Sequence, residues 1–154
     1  MEIGKDALSE ALTRKLTRIG NIIGRWYWEL GYRGFFDIDF IISKDGGIYV
    51  VETNTRRTGG THTYDLARHL FGNGWESETY LLSHDSFRYS KRRMDAEALL
   101  QKVKPILYPM MGEKKGIIVT LISEWSPVMG YIVIASNPDE GRELQKRLFR
   151  LFKK

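Results

Sequence analysis

The chain has 154 residues, 42% of them hydrophobic and 28% charged, with a formal net charge of +5 at pH 7. This length and composition predict one soluble globular domain with a sizeable core and affinity for anionic partners. No run of about 18 apolar residues occurs, so no transmembrane helix is expected. The absence of cysteine excludes disulfides, thiolate metal sites and a cysteine nucleophile, and it fits a reducing cytoplasm.

The first predicted element is an amphipathic helix over about residues 6–30. Its apolar residues recur at steps of three and four, which places them on one helix face. They are Leu8, Leu12, Leu16, Ile19, Ile23, Trp26 and Leu30. Gly31 follows as a predicted C-cap.

A β-hairpin is predicted next, in the stretch FDIDFIISKDGGIYVVETN at residues 36–54. Asp45-Gly46 favours a two-residue type I′ loop, in which the numbers of every facing pair sum to 91. Asp39 then faces Glu52, and Asp37 faces Asn54. Since side chains alternate along a strand, these four share one side. The other side is expected to be buried and carries Phe36, Ile38, Phe40, Tyr49 and Val51.

Two carboxylates at facing positions destabilise a hairpin unless a proton, an arginine or a cation neutralises them. Clustered hard oxygen ligands suit Mg²⁺, so the Asp39 and Glu52 pair is a candidate metal site. A solvated polar face is the alternative. A one-residue register slip would move the acids to the opposite side.

The next segment, TRRTGGTHTYDLARHLFG, reads as a glycine-containing loop that opens a short helix closed by Gly72. Arg56 should project from the acidic side and Arg57 away from it. Gly60 and Thr61 lie where helix amides are free, which makes this turn either an anion site or an ordinary cap.

For residues 73–154 the sequence predicts first a turn-rich segment at 73–92 with a strand at TYLL. A helix over about 94–103, strands at 116–122 and 131–136, and a final helix are predicted to follow. Asn137 is its expected N-cap, and Pro138 takes the first helical position. Basic groups at 91–93, 114–115 and 146–154 lie on several elements without an aromatic platform, so nucleic-acid binding is disfavoured. The elements together predict an α+β fold.

The hairpin, with LGYRGFFDIDF before it and VVETNTR at its end, resembles the C-terminal lobe of ATP-grasp enzymes. The GGTHTYDLARHLF segment and the predicted ββα tail are similar to peptide ligases of the pheganomycin-biosynthesis type and their uncharacterised relatives. The resemblance implies an ATP-grasp C-terminal lobe at 1–72 and a small α+β tail at 73–154.

The resemblance also implies that Asp39, Glu52 and Asn54 bind Mg²⁺, or Mn²⁺ in its place, against the phosphates of ATP. Arg56, Gly60 and Thr61 would contact phosphate, with Arg56 catalytic. Many amino-acid ligases of the family have an arginine two residues before the first metal ligand. Here that position holds Asp37, either a further ligand or a partner of Arg33 or Arg56. His62 is a candidate substrate contact.

The activity implied is an ATP-dependent carboxylate–amine ligase that works through an acyl-phosphate, with small-molecule carboxylate and amine substrates. The N-terminal lobe of the family is missing from this sequence, so the chain is expected to be a fragment that is inactive alone. Association through the apolar surface that would meet that lobe, including homo-oligomer formation, is a further expectation. The alternative function is a non-catalytic module that binds a partner protein or nucleic acid.

Overall fold

A computed structural model describes residues 1–4, 6 and 8–153. Within those residues the structure has four α-helices and six β-strands, and it confirms the α+β class. The chain divides into two compact units. Residues 8–64 are called the hairpin unit, and residues 1–7 with 65–154 are called the sheet unit. No helix in the described part of the chain has the length and apolar character needed to cross a bilayer.

The hairpin unit begins with helix α1, Glu10–Glu29, four residues later than the sequence predicts. The Ser9 hydroxyl accepts the amide of Leu12 at 3.3 Å and caps the first turn. At the other end Gly31 has a φ of 88°. The amide of Gly31 donates to Trp28, and that of Tyr32 donates to the Tyr27 carbonyl. These two bonds form a Schellman motif, so the predicted glycine C-cap is confirmed.

Helix α1 contacts the hairpin through two glycines. A Cβ added at Gly24 would lie 3.0 Å from Cζ of Phe36, and one added at Gly20 would lie 4.0 Å from Cδ1 of Ile38. The helix backbone therefore comes close to the strand. Three residues of the predicted apolar stripe do not take part, since Leu8, Trp26 and Leu30 are exposed.

The hairpin pairs strands β2, Asp37–Ile42, and β3, Ile48–Asn54. The predicted two-residue loop is wrong. The Ser43 amide donates to the Gly47 carbonyl at 2.9 Å, which leaves a loop of three residues. Gly46 alone among them has positive φ, at 86°, as in a type I turn followed by a G1 bulge.

The placement of Tyr49 and Val51 on the buried side is also wrong. Next to the loop Tyr49 faces Ile41, and it is 56% exposed. Val51 lies at a β-bulge and is 54% exposed. Ile38 and Phe40 are half-buried, as the alternation predicts.

The sheet unit holds an antiparallel sheet in the order β1-β4-β6-β5. Its strands are β1 Glu2–Gly4, β4 Tyr80–Arg88, β5 Gly116–Ile122 and β6 Val128–Ala135. The strand predicted at TYLL thus runs on to Arg88. The sequence patterns do not predict β1, which pairs with β4 through Leu81 and its neighbours.

The core of the sheet unit lies on both faces of this sheet. Helices α3, Ala96–Val103, and α4, Pro138–Phe152, cover one face. Helix α2, Gly59–Phe71, begins in the hairpin unit, and its later residues Leu66 and Ala67 pack on the other face. Strand β6 serves both layers because its side chains alternate and every residue after Val128 is buried. Asn137 caps α4 as predicted, accepting the Glu140 amide at 3.0 Å.

Candidate metal and phosphate site

The predicted acidic side of the hairpin is present. Asp39 faces Glu52 and Asp37 faces Asn54 across the two strands. Asp39 and Glu52 are exposed, whereas Asp37 and Asn54 are half-buried. The four polar side chains therefore share one face of β2 and β3, with two carboxylates at directly opposed positions.

The facing of the acids depends on a β-bulge. Next to the three-residue loop, Phe40 faces Val50. If the strands kept this register, Asp39 would face Val51. The pairing shifts between Asp39 and Phe40, and Val51 becomes the extra residue. The bulge thus cancels the additional loop residue and restores Asp39 to Glu52.

Arg56 lies next to this acidic face. Its Nη2 donates to Oδ1 of Asn54 at 3.1 Å, and its Nη1 donates to the carbonyl of Arg57 at 3.3 Å. The guanidinium therefore projects toward the polar side, as alternation predicts. Arg57 differs, since its Cζ lies 4.4 Å from the ring centroid of Phe35 in a cation–π contact.

Asp37 is not paired with either arginine considered for it. Arg33 donates to the carbonyls of Trp28 and Tyr32, both at 2.8 Å, and stacks on the Trp28 ring. Within the part of the chain that the structure describes, Asp37 makes no ion pair.

The glycine turn begins helix α2 at Gly59 and places Gly60 in its first turn. The Thr61 hydroxyl accepts the Thr58 amide at 3.0 Å, while the Thr61 amide donates to the Thr58 carbonyl. The first bond is one half of a capping box, with threonine in place of glutamate, and the second is a backbone bond of the first turn. Thr61 therefore has a structural task at the helix start. The exposed His62 points its Nε2 toward the Thr63 hydroxyl at 3.4 Å.

One contact that orders the site was not predicted from the sequence. The hydroxyls of Tyr27 on α1 and Thr53 on β3 are 2.5 Å apart. Thr53 lies between Glu52 and Asn54, so this bond holds the ligand strand from its other face. Tyr27 follows Ile23 by one helical repeat of four, and that spacing is the signal which could have assigned it to the packed side of α1.

The donor set suits a hard cation. Carboxylate and amide oxygens are preferred Mg²⁺ ligands, and the ion commonly takes only one or two carboxylates and keeps several waters. Asp39, Glu52 and the Asn54 amide oxygen meet that requirement. Among the described residues, no group of three or more His, Cys, Asp or Glu side chains is arranged to hold a metal. The hairpin can thus supply only part of a coordination shell.

Comparison with known proteins gives a limited match. No family model matches the sequence. Over 61 residues the chain is 33% identical to the L-propargylglycine–L-glutamate ligase of Streptantibioticus cattleyicolor. The match covers 40% of this chain and 12% of that ligase, so the chain spans only a small part of the curated relative. This chain therefore has a partial, weak similarity to a ligase.

Proposed function

We propose that the hairpin unit forms the metal- and phosphate-binding wall of an ATP- and Mg²⁺-dependent carboxylate–amine ligase. The observation that carries the proposal is the placement of Asp39 opposite Glu52, with Asn54 and Arg56 beside them. Two carboxylates, an amide oxygen and a guanidinium meet on one face. The partial similarity to a ligase that joins two amino acids supports the same reading.

In this proposal Asp39 and Glu52 hold Mg²⁺ and lose their mutual repulsion. Bound there, Mg²⁺ would neutralise and orient phosphate oxygens of ATP. Asn54 would contribute Oδ1, which now accepts a bond from Arg56. A carbonyl oxygen has a second lone pair, but a cation beside a guanidinium is repelled. Arg56 is therefore expected to turn from Asn54 toward an anion when the metal binds.

The role of Arg56 follows from the chemistry of acyl transfer through a phosphate. A carboxylate activated as an acyl-phosphate carries charge that a guanidinium can meet bidentately. Arg56 can reach such a phosphate because it lies two residues after Asn54, the last residue of β3. The amides at the start of α2, near Gly60, would add a weaker, dipolar contribution.

The rest of the enzyme is part of the proposal. An N-terminal ATP-grasp lobe would supply the other wall of the nucleotide site, and small-molecule carboxylate and amine substrates would bind between the walls. With one wall, the chain is expected to bind metal and nucleotide weakly and to show no turnover.

Metal binding tests the proposal directly. Mn²⁺ can be titrated into the purified chain with and without ATP and followed by its electron paramagnetic resonance spectrum. We expect weak binding that Asp39→Asn combined with Glu52→Gln abolishes. Asp45→Asn is the matched control, because Asp45 is an acid of the same hairpin that lies in its loop. No binding by the parent chain, or equal binding by the double variant, would overturn the metal site and favour the non-catalytic binding module.

A further inference from the structure

The loop between β5 and β6 presents an exposed tryptophan. The Ser123 hydroxyl accepts the amides of Trp125 at 3.2 Å and Ser126 at 3.1 Å, and the two serine hydroxyls are 3.0 Å apart. These bonds shape the turn from its own side chains. Trp125 at its tip is 93% exposed. The hydrogen-bonded backbone thus holds a large aromatic residue in solvent where it makes no packing contribution, so the loop is a candidate contact surface.

The sheet places a basic segment beside this loop. Arg88 pairs with Val128 at the end of β4, and the next amide, that of Tyr89, donates to the Pro127 carbonyl at 3.1 Å. The chain then continues through residues 90–93. The exposed cations on this segment are Arg88, Lys91, Arg92 and Arg93. None of them makes an ion pair within residues 1–4, 6 and 8–153.

A cleft joins the two features. It has a volume of about 420 Å³ and is lined by Arg93, Ala96, Ile122, Ser123, Glu124 and Trp125. A planar ring entering it would meet an indole and a guanidinium, both of which stack on aromatic rings. Glu124 repels phosphate but can accept an N–H from the edge of a base.

We infer that Trp125 and the cations of residues 88–93 form a binding surface for single-stranded nucleic acid. A base stacks on Trp125 in the cleft, and the phosphate backbone follows the basic segment. The sequence patterns disfavour nucleic-acid binding because the basic groups lie on several elements with no aromatic platform. In the structure, the pairing of β4 with β6 brings the Trp125 loop beside residues 91–93 and so supplies that platform. A lipid surface fits less well, since the exposed carboxylate of Glu124 lies beside Trp125 and the cleft's other large apolar side chain, Ile122, is half-buried. The inference is independent of the proposed ligase function.

Fluorescence anisotropy with a labelled oligothymidylate of about 16 nucleotides tests the surface. Trp125→Ala should weaken binding about 5- to 150-fold, the usual effect of losing one base–aromatic stack. For four phosphate contacts, log K should fall with log salt at a slope of about −3. The pair Arg92→Gln and Arg93→Gln should make that slope shallower by about 1.4.

Two matched controls distinguish this surface from general basicity. Trp26→Ala removes another exposed tryptophan, and Lys146→Gln with Arg150→Gln removes two other cations, both near Glu143. Both controls should bind like the parent chain. Since Trp125 is exposed, its removal should leave the circular dichroism spectrum unchanged.

Three results would overturn the inference. The first is no oligonucleotide binding at low salt. The second is an equal loss of oligonucleotide affinity in the control variants, or no loss of affinity in Trp125→Ala. Either outcome would mean that the oligonucleotide is held only by unspecific charge attraction. The third is binding to vesicles of phosphatidylserine and phosphatidylcholine that the oligonucleotide does not displace, which would assign the surface to a membrane.

Discussion

Asp39 and Glu52 place like charges at opposed positions, where facing pairs contribute about 0.2–1 kcal/mol. Asp39→Asn or Glu52→Gln should therefore leave the metal-free chain equally stable or more stable by up to about that amount. Urea denaturation followed by circular dichroism would measure it. Asp45→Asn, which removes an acid that has no facing carboxylate, should bring no such gain. A clear loss of stability in both site variants would contradict repulsion between the pair.

Arg56 and Arg57 are adjacent arginines with different surroundings. Arg56 contacts Asn54, whereas Arg57 stacks on Phe35. In the proposed two-lobe enzyme, Arg56→Ala should lower kcat about 10- to 150-fold, the value of a charge-assisted hydrogen bond, with a smaller change in the Kd of ATP. Arg57→Ala is the matched control and should change kcat little. Equal, small effects on steady-state kinetics would reduce Arg56 to a surface residue.

Glu140 is expected to make the stability of the sheet unit sensitive to acid. The hydroxyl and amide of Ser136 donate to its Oε2 at 2.6 Å and 2.9 Å, and Lys115 lies 3.2 Å from Oε1. The Ser136 hydrogen bond is the main cause that lowers the pKa of Glu140. Its stabilisation is therefore present above the unfolded pKa, about 4.3, and is lost as the pH falls through the lower folded value.

Glu140→Gln should consequently reduce the free energy of unfolding at neutral pH by about 1 kcal/mol and flatten its decline below about pH 4. Urea titrations across that pH range would measure both effects. Glu143→Gln, on the same helix in exposed ion pairs, is the control and should keep the parent slope. If Glu140→Gln left the pH dependence of the free energy of unfolding unchanged, the acid sensitivity could not be assigned to Glu140.

At the scale of elements, helix α4 approaches the sheet through one glycine. A Cβ at Gly141 would lie 2.3 Å from Cε1 of Tyr80, a fully buried ring. Gly141→Ala should lower the free energy of unfolding by about 1–3 kcal/mol through overpacking, although alanine favours helix. Thermal denaturation would show it. In a double variant, Tyr80→Leu should partly relieve the clash that Gly141→Ala creates, because leucine is smaller than tyrosine. If the losses of unfolding free energy in the two single variants simply added in the double variant, this contact would be contradicted.

At the scale of the whole molecule, the units differ in burial. Of the described residues of the hairpin unit, only Thr63 is buried, whereas the sheet unit contains both hydrophobic clusters. A two-stranded hairpin is marginally stable on its own. Amides of β2 and β3 should therefore exchange with deuterium at least about 100-fold faster than those of β4 and β6. Mass spectrometry of exchanged peptides would measure this, and equal protection would refute it.

The signals that succeed from sequence are short in range. The Gly31 C-cap of α1 and the Asn137–Pro138 start of α4 act through bonds between neighbouring residues, and those bonds form in the structure. The facing of Asp39 and Glu52 also follows prediction, although by another route. The predicted register contained no bulge, whereas the hairpin combines a longer loop with a bulge at Val51.

Alternation of polar and apolar side chains along the first residues of β2, together with the caps at Gly31 and Asn137, was determined by the sequence alone, because each depends on residues a few positions apart. Only the tertiary structure decided three other features: the pairing of β1 with β4, the bond from Tyr27 to Thr53, and the meeting of Trp125 with residues 88–93. Each joins segments distant along the chain. Such contacts form when whole elements pack, and no local preference encodes which elements will meet.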